Sequence, residues 1–139
     1  MAFDYQIFPD ERCIAFRMHG VYSIEDCRTA TRSAMADPAF SPDFAQITDL
    51  TGITRFDADY AQVSTLASFI ADSAVDIEPG TLFVILATRD INYGMARMFQ
   101  QLIEGRTPFS VSLVRSRTEA ARVLALSTQT VDRMLADAP

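Results

Sequence analysis

The run Thr81-Leu82-Phe83-Val84-Ile85-Leu86-Ala87 constrains this chain more than any other segment. It is apolar at consecutive rather than alternate positions, the pattern of a strand covered on both faces. The turn Glu78-Pro79-Gly80 precedes it. Met95, Met98, Phe99 and Leu102 follow at helical spacing, predicting a helix from Thr88 to Glu104 that Gly105 ends. A buried strand that feeds directly into an amphipathic helix is the repeating unit of a parallel sheet.

The rest of the chain repeats that alternation after a different opening. Phe3 to Phe8 alternates apolar and polar residues, Pro9-Asp10-Glu11 turns, and Arg12 to His19 forms a second strand. Ile14, Phe16 and Met18 share one face of it; Cys13, Ala15, Arg17 and His19 share the other. Together they predict an antiparallel hairpin closed by Gly20. Ser23, with Asp26 three residues on, is a capping-box-like helix start. Ile24, Cys27, Thr31, Ala34 and Met35 carry that first helix to about Ala36. Two prolines make residues 37–42 a loop. Phe44 to Leu50 is a short central strand. Asp57 or Asp59 caps a second helix to about Ala74, with Tyr60, Val63, Ala67, Ile70 and Ala74 as its stripe. Phe109 to Leu113 is a last strand with one polar face, Ser116 opens a fourth helix, and Ser127 to Ala136 is a further helical tail. The order predicts one α/β domain over 1–126, with 127–139 as its C-terminal helical tail. Its sheet is mixed: an antiparallel first hairpin, otherwise mostly parallel, with four to five helices.

Charge and composition exclude several functions. The net charge is −6 over 139 residues. That argues against nucleic acid and against an anionic membrane surface, both of which need a basic face. All 12 basic residues are Arg, so Schiff-base chemistry and a phosphate-loop lysine are excluded. No apolar run approaches the ~20 residues of a membrane span. The N-terminus lacks a basic leader, so a cytoplasmic location is expected, with Cys13 and Cys27 as reduced thiols. Two cysteines without metal spacing and a single His predict no metal and no cofactor.

Candidate sites follow from where the strands should end, because open α/β sheets bind ligands outside the carboxyl ends of their strands. Asp49 to Asp59 reads as a strand end, a polar turn and an acidic helix start. Thr51, Gly52, Thr54 and Asp57 are therefore candidates for contact with a protein partner or small ligand. Asp49 itself is expected to accept backbone N–H groups near Gly52 and Ile53. At the start of the third helix Tyr93, Met95 and Arg97 form a second candidate group, Tyr93 and Arg97 being one turn apart. Leu66 and Phe69 widen the apolar arc of the second helix beyond one buried face, and with the incompletely covered sheet they predict a homodimer interface. His19 with Cys27 or an Asp is the only conventional catalytic set, and buried free Cys more often acts as a small hydrophobe.

Several motifs in this order also carry a resemblance. Met18-His19-Gly20, Ala36-Asp37-Pro38-Ala39-Phe40, Asp49-Leu50-Thr51-Gly52-Ile53, Tyr93-Gly94-Met95-Ala96-Arg97-Met98-Phe99 and Arg117-Thr118-Glu119-Ala120-Ala121 resemble the SpoIIAA-like branch of the STAS superfamily. That fold is also similar to the CRAL-TRIO lipid-transfer fold. The resemblance implies a non-enzymatic interaction or regulatory module, with a small lipophilic ligand as the alternative. It also marks a departure: where signalling members carry a phosphorylatable serine after the Asp, Asp57 is followed here by Ala58. The pocket of the lipophilic alternative would use Met95, Met98, Phe99 and the second helix. A small enzyme using His19 is the remaining alternative.

Overall fold

A computed structural model describes residues 3–136. It contains a five-stranded sheet in the order β1-β2-β3-β4-β5. The strands are Phe3–Phe8 (β1), Cys13–Tyr22 (β2), Ala45–Phe56 (β3), Leu82–Leu86 (β4) and Ser110–Val114 (β5). β1 and β2 are antiparallel and every later pair is parallel. The helices are Ile24–Met35 (α1), Tyr60–Ser73 (α2), Asp90–Ile103 (α3), Arg117–Leu124 (α4) and Thr128–Met134 (α5).

The strand order decides where the helices lie. Each parallel connection steps the same way across the sheet, and such crossovers are right-handed, so α1, α2 and α3 fall on one face. Phe16, Met18 and Leu50 accordingly share a core with Ala30 and Ala34 of α1 and Ala96 of α3. α4 and α5 close the opposite face, where Cys13, Ala15, Ile47, Val84 and Leu86 meet Ala120, Ala121, Val131 and Met134. Coverage of that second face is therefore complete in its middle, contrary to the expectation of a partly open sheet. Alanines on α4 let a short helix approach the strands closely. Arg17, buried on this face, donates from Nε to Asp4 Oδ1 at 2.5 Å and from its Nη1 to the carbonyl of Ala136. That contact fastens the tail to the sheet. Residues 137–139 of the expected tail lie outside the described residues.

Local signals in the sequence act as capping chemistry predicts. The Ser23 side chain accepts from the Asp26 N–H at 3.2 Å. Asp59 and Gln62 exchange two hydrogen bonds of 2.9 Å in a full capping box, so Asp59 rather than Asp57 starts α2. Ser116 and Ser127 cap α4 and α5 in the same way.

The middle of the chain differs from expectation. Gly20 does not close the hairpin; the Pro9–Glu11 turn does, and Gly20 lies within β2 with φ +72°. β3 likewise runs on through the expected turn to Phe56. Two irregularities in its pairing with β2, between Arg17 and His19 and between Gly20 and Val21, carry both strands past that point. Gly52 makes the first possible: a Cβ there would stand 2.8 Å from the Met18 carbonyl oxygen and 3.1 Å from the His19 Cβ.

Candidate functional site

The three crossover helices do not fill the space above the sheet. A cavity of about 120 Å³ lies beneath them. Its floor is Phe16 and Met18 of β2, Gln46, Thr48 and Leu50 of β3, and Ile85 of β4. Cys27 and Thr31 of α1, Leu66 and Ile70 of α2, and Met95 and Phe99 of α3 form its roof. A second space of about 50 Å³ borders it, sharing Phe16, Thr31, Gln46, Ile70 and Phe83, and reaches Ile77 and Phe109. The two spaces together run along the strands, from the tilted Tyr22–Phe56 ring pair to the stacked Phe83–Phe109 pair.

The polar groups of this wall are few and neutral; no charged residue lines it. Gln46 and Thr48 are the unusual ones. They occupy alternate positions of the central strand, facing the helices, while Ile47 and Asp49 face α4 and α5. Among the described residues neither side chain has a hydrogen-bond partner, and neither is fully enclosed by protein. On the roof, the Thr31 hydroxyl donates to the Cys27 carbonyl at 2.9 Å. Burial pushes the Tyr22 hydroxyl and the Cys27 thiol, both in the cavity wall, above their ordinary pKa values. Cys27 is therefore a neutral thiol, unlike a reactive one.

The sequence candidates separate into those that reach this cavity and those that do not. Met95 lines it, as do Phe99 and Leu66; Met98 does not. Leu66 is 4% exposed and buried in its own chain, and Phe69 lies under the guanidinium groups of Arg28 and Arg32, at 5.3 and 5.2 Å. The wide apolar arc of α2 is thus used within the chain, which removes the observation behind the expected dimer face. Thr51 donates its N–H and hydroxyl to Asp49 Oδ1 at 2.9 and 2.6 Å. Asp49 therefore has its expected structural role, with Thr51 in place of Gly52 and Ile53. Thr54 and Asp57 are exposed along the extended β3 and its exit, not in a turn. The Tyr93 ring lies 4.1 Å from the Arg115 guanidinium, and Arg97 is exposed. His19 is exposed, and Cys27 lines the cavity, which His19 does not, so the two do not form the pair an enzyme reading needs. Among the described residues no cluster of His, Cys, Asp and Glu has the arrangement of a metal site.

The main residues of the cavity that sequence reasoning missed are Gln46, Thr48, Tyr22 and Thr31. One signal was available. A central strand of a parallel sheet should be apolar on both faces, and Gln46 and Thr48 break that rule at a spacing of two.

An antiparallel hairpin leading into a parallel sheet, with three helices on one face and two on the other, defines a SpoIIAA-like α/β domain. The comparison with solved structures agrees: the chain is similar to an uncharacterised protein of the DUF3478 family with a SpoIIAA-like fold from Shewanella loihica PV-4. The TM-score is 0.55 at 14% identity, over 88% of this chain and 92% of that one. At that identity the likeness shows a SpoIIAA-like fold and nothing of function. No family model and no curated protein matches the chain. Among the described residues no helix is long and apolar enough to cross a membrane.

Proposed function

We propose that this domain is a non-enzymatic binding module for a small, largely apolar molecule, held between the sheet and α1–α3. One observation carries the reading: Gln46 and Thr48 face an unfilled apolar space without protein partners. A polar group without a partner in an apolar setting costs about 1–3 kcal/mol. Close-packed interiors leave few voids larger than a water molecule. Both costs are offset when a ligand fills the space and bonds to the amide or hydroxyl. Size limits the occupant: an apolar cavity of ~150 Å³ holds benzene, so the main space here, about 120 Å³, suits no more than one small ring or a short chain. Met95 and Phe99 supply adaptable and flat walls for it.

Titration with benzyl alcohol, a ring bearing one hydroxyl, tests this by methyl NMR. Saturable shifts at Leu50, Leu66 and Met95 are expected, with little change at Val131 and Met134 behind the sheet. Absence of saturable shifts at the first three would sink the reading.

A second reading has its own observation. Val21, Tyr60 and Ile91 are 42%, 62% and 66% exposed, and all three stand near the carboxyl end of the sheet. Such a cluster supports contact with a protein partner there, beside Thr54, Asp57 and Arg97. A regulatory role would then work without a serine after Asp57. Both readings are compatible with a cytoplasmic setting, in which Cys27 stays reduced.

A further inference from the structure

The polar groups left inside the cavity narrow the ligand class. Gln46 and Thr48 stand two residues apart on one side of β3, so their Cβ atoms are about 7 Å apart, within the span of one small ligand. Their cross-strand neighbours are all apolar: Ile14 and Phe83 flank Gln46, and Phe16 and Ile85 flank Thr48. The side chains directly opposite therefore cannot supply the bonds these two lack. On the roof, Thr31 gives its hydroxyl proton to the Cys27 carbonyl and offers the cavity only an acceptor. Of the two unpartnered side chains only Gln46 lines both spaces, which puts its amide at their junction.

Charge sets a second limit. Among the described residues, none that lines either space is charged. Burial holds Tyr22 and Cys27 in their neutral forms at neutral pH. An ion placed there would be desolvated with no counter-charge.

Resting on the cavity reading above, we infer that the ligand is a neutral one-ring molecule with a lactam-type edge, an N–H beside a carbonyl. The carboxamide of Gln46 holds a donor and an acceptor side by side in one plane. A lone hydroxyl meets one of them at a time. A lactam edge meets both, as Asn and Gln do on the edge of adenine. The ring lies in the main space between Leu50 and Phe99, with its polar edge at the junction. Thr48 then donates to the second lone pair of the ligand's carbonyl.

The isomers 2-pyridone and 4-pyridone test this, because only the first has its N–H and carbonyl on one edge. In calorimetric titration the wild-type protein is expected to bind 2-pyridone at least about tenfold tighter than 4-pyridone. Gln46→Met should abolish that preference and still bind benzyl alcohol, which also reports that the variant is folded. On the wild-type protein the Gln46 side-chain NH₂ signals should shift and saturate with 2-pyridone and stay in place with 4-pyridone. That NMR readout needs no variant and decides the matter if Gln46→Met does not fold. Equal affinities for the isomers, a preference that survives Gln46→Met, or unmoved NH₂ signals would each overturn the inference. Benzoate binding as tightly as benzyl alcohol would overturn the neutral assignment. Benzyl alcohol binding without 2-pyridone binding would sink this inference alone; if neither binds, the cavity reading falls and this one with it.

Discussion

Single residues in this domain act mostly through what they exclude. Gly52 has no room for a side chain, because the Met18 carbonyl passes 2.8 Å from where a Cβ would be. Gly52→Ala should therefore cost about 1–3 kcal/mol in denaturant unfolding, the usual penalty of overpacking; an unchanged midpoint would show that the β2–β3 irregularity absorbs a methyl. Asp49 accepts two bonds from Thr51, so Asp49→Ala should cost about as much. The thiols set a pH dependence. Burial pushes Cys13 from 9.0 up to about 12, and Cys27 is also raised. Below the unfolded value both states carry the proton and nothing is lost. Above it the unfolded chain releases a proton that the folded chain keeps, so stability falls as pH rises from about 9 towards 12. Cys13→Ala/Cys27→Ala should flatten that limb of a thermal-stability profile. A limb of equal slope in the variant would assign the effect to other groups.

Elements were legible where periodicity and capping agree, and illegible where only pairing decides. Helix starts at Ser23, Asp59, Ser116 and Ser127 could be read because a cap is a local interaction. Asp59→Ala is correspondingly expected to cost about 1 kcal/mol of stability, measured by chemical unfolding, while Asp57→Ala is nearly neutral; the reverse order would reassign the cap. The second half of β3 was hidden, because Thr51, Gly52 and Thr54 have turn-like chemistry. Only pairing with the equally extended β2 makes them a strand, and that contact spans some thirty residues of sequence. The role of α5 was hidden for the same reason. Val131 and Met134 are fully buried against the sheet, so Met134→Ala should cost about 2–5 kcal/mol by denaturant titration. A loss below about 0.5 kcal/mol would mean the tail is a loosely held appendage.

At the scale of the whole molecule, one sheet face is packed and the other is left open around Gln46 and Thr48. The resemblance placed a pocket at Met95, Phe99 and the second helix, all of which line the cavity, but its extent could not be read from the residues because a void belongs to none of them. It arises from how far α1, α2 and α3 stand from the central strand. Its one trace in the sequence was two polar residues on a strand whose partners predicted apolar ones. If the space is kept open for a ligand, filling it should raise stability and end binding, the usual exchange between packing and function. Thr48→Leu is the simplest such change, with an expected gain of about 1 kcal/mol, within the range typical of cavity filling, and loss of the benzyl alcohol response; destabilisation would show that the hydroxyl has a structural use. The most direct test of a ligand-holding domain is native mass spectrometry of the freshly purified, untagged protein, beside its Thr48→Leu variant. The account predicts a small extra mass on the wild-type chain, released by denaturation and absent from the variant. A wild-type chain that flies at its bare mass, and takes up no benzyl alcohol when it is added, would contradict it.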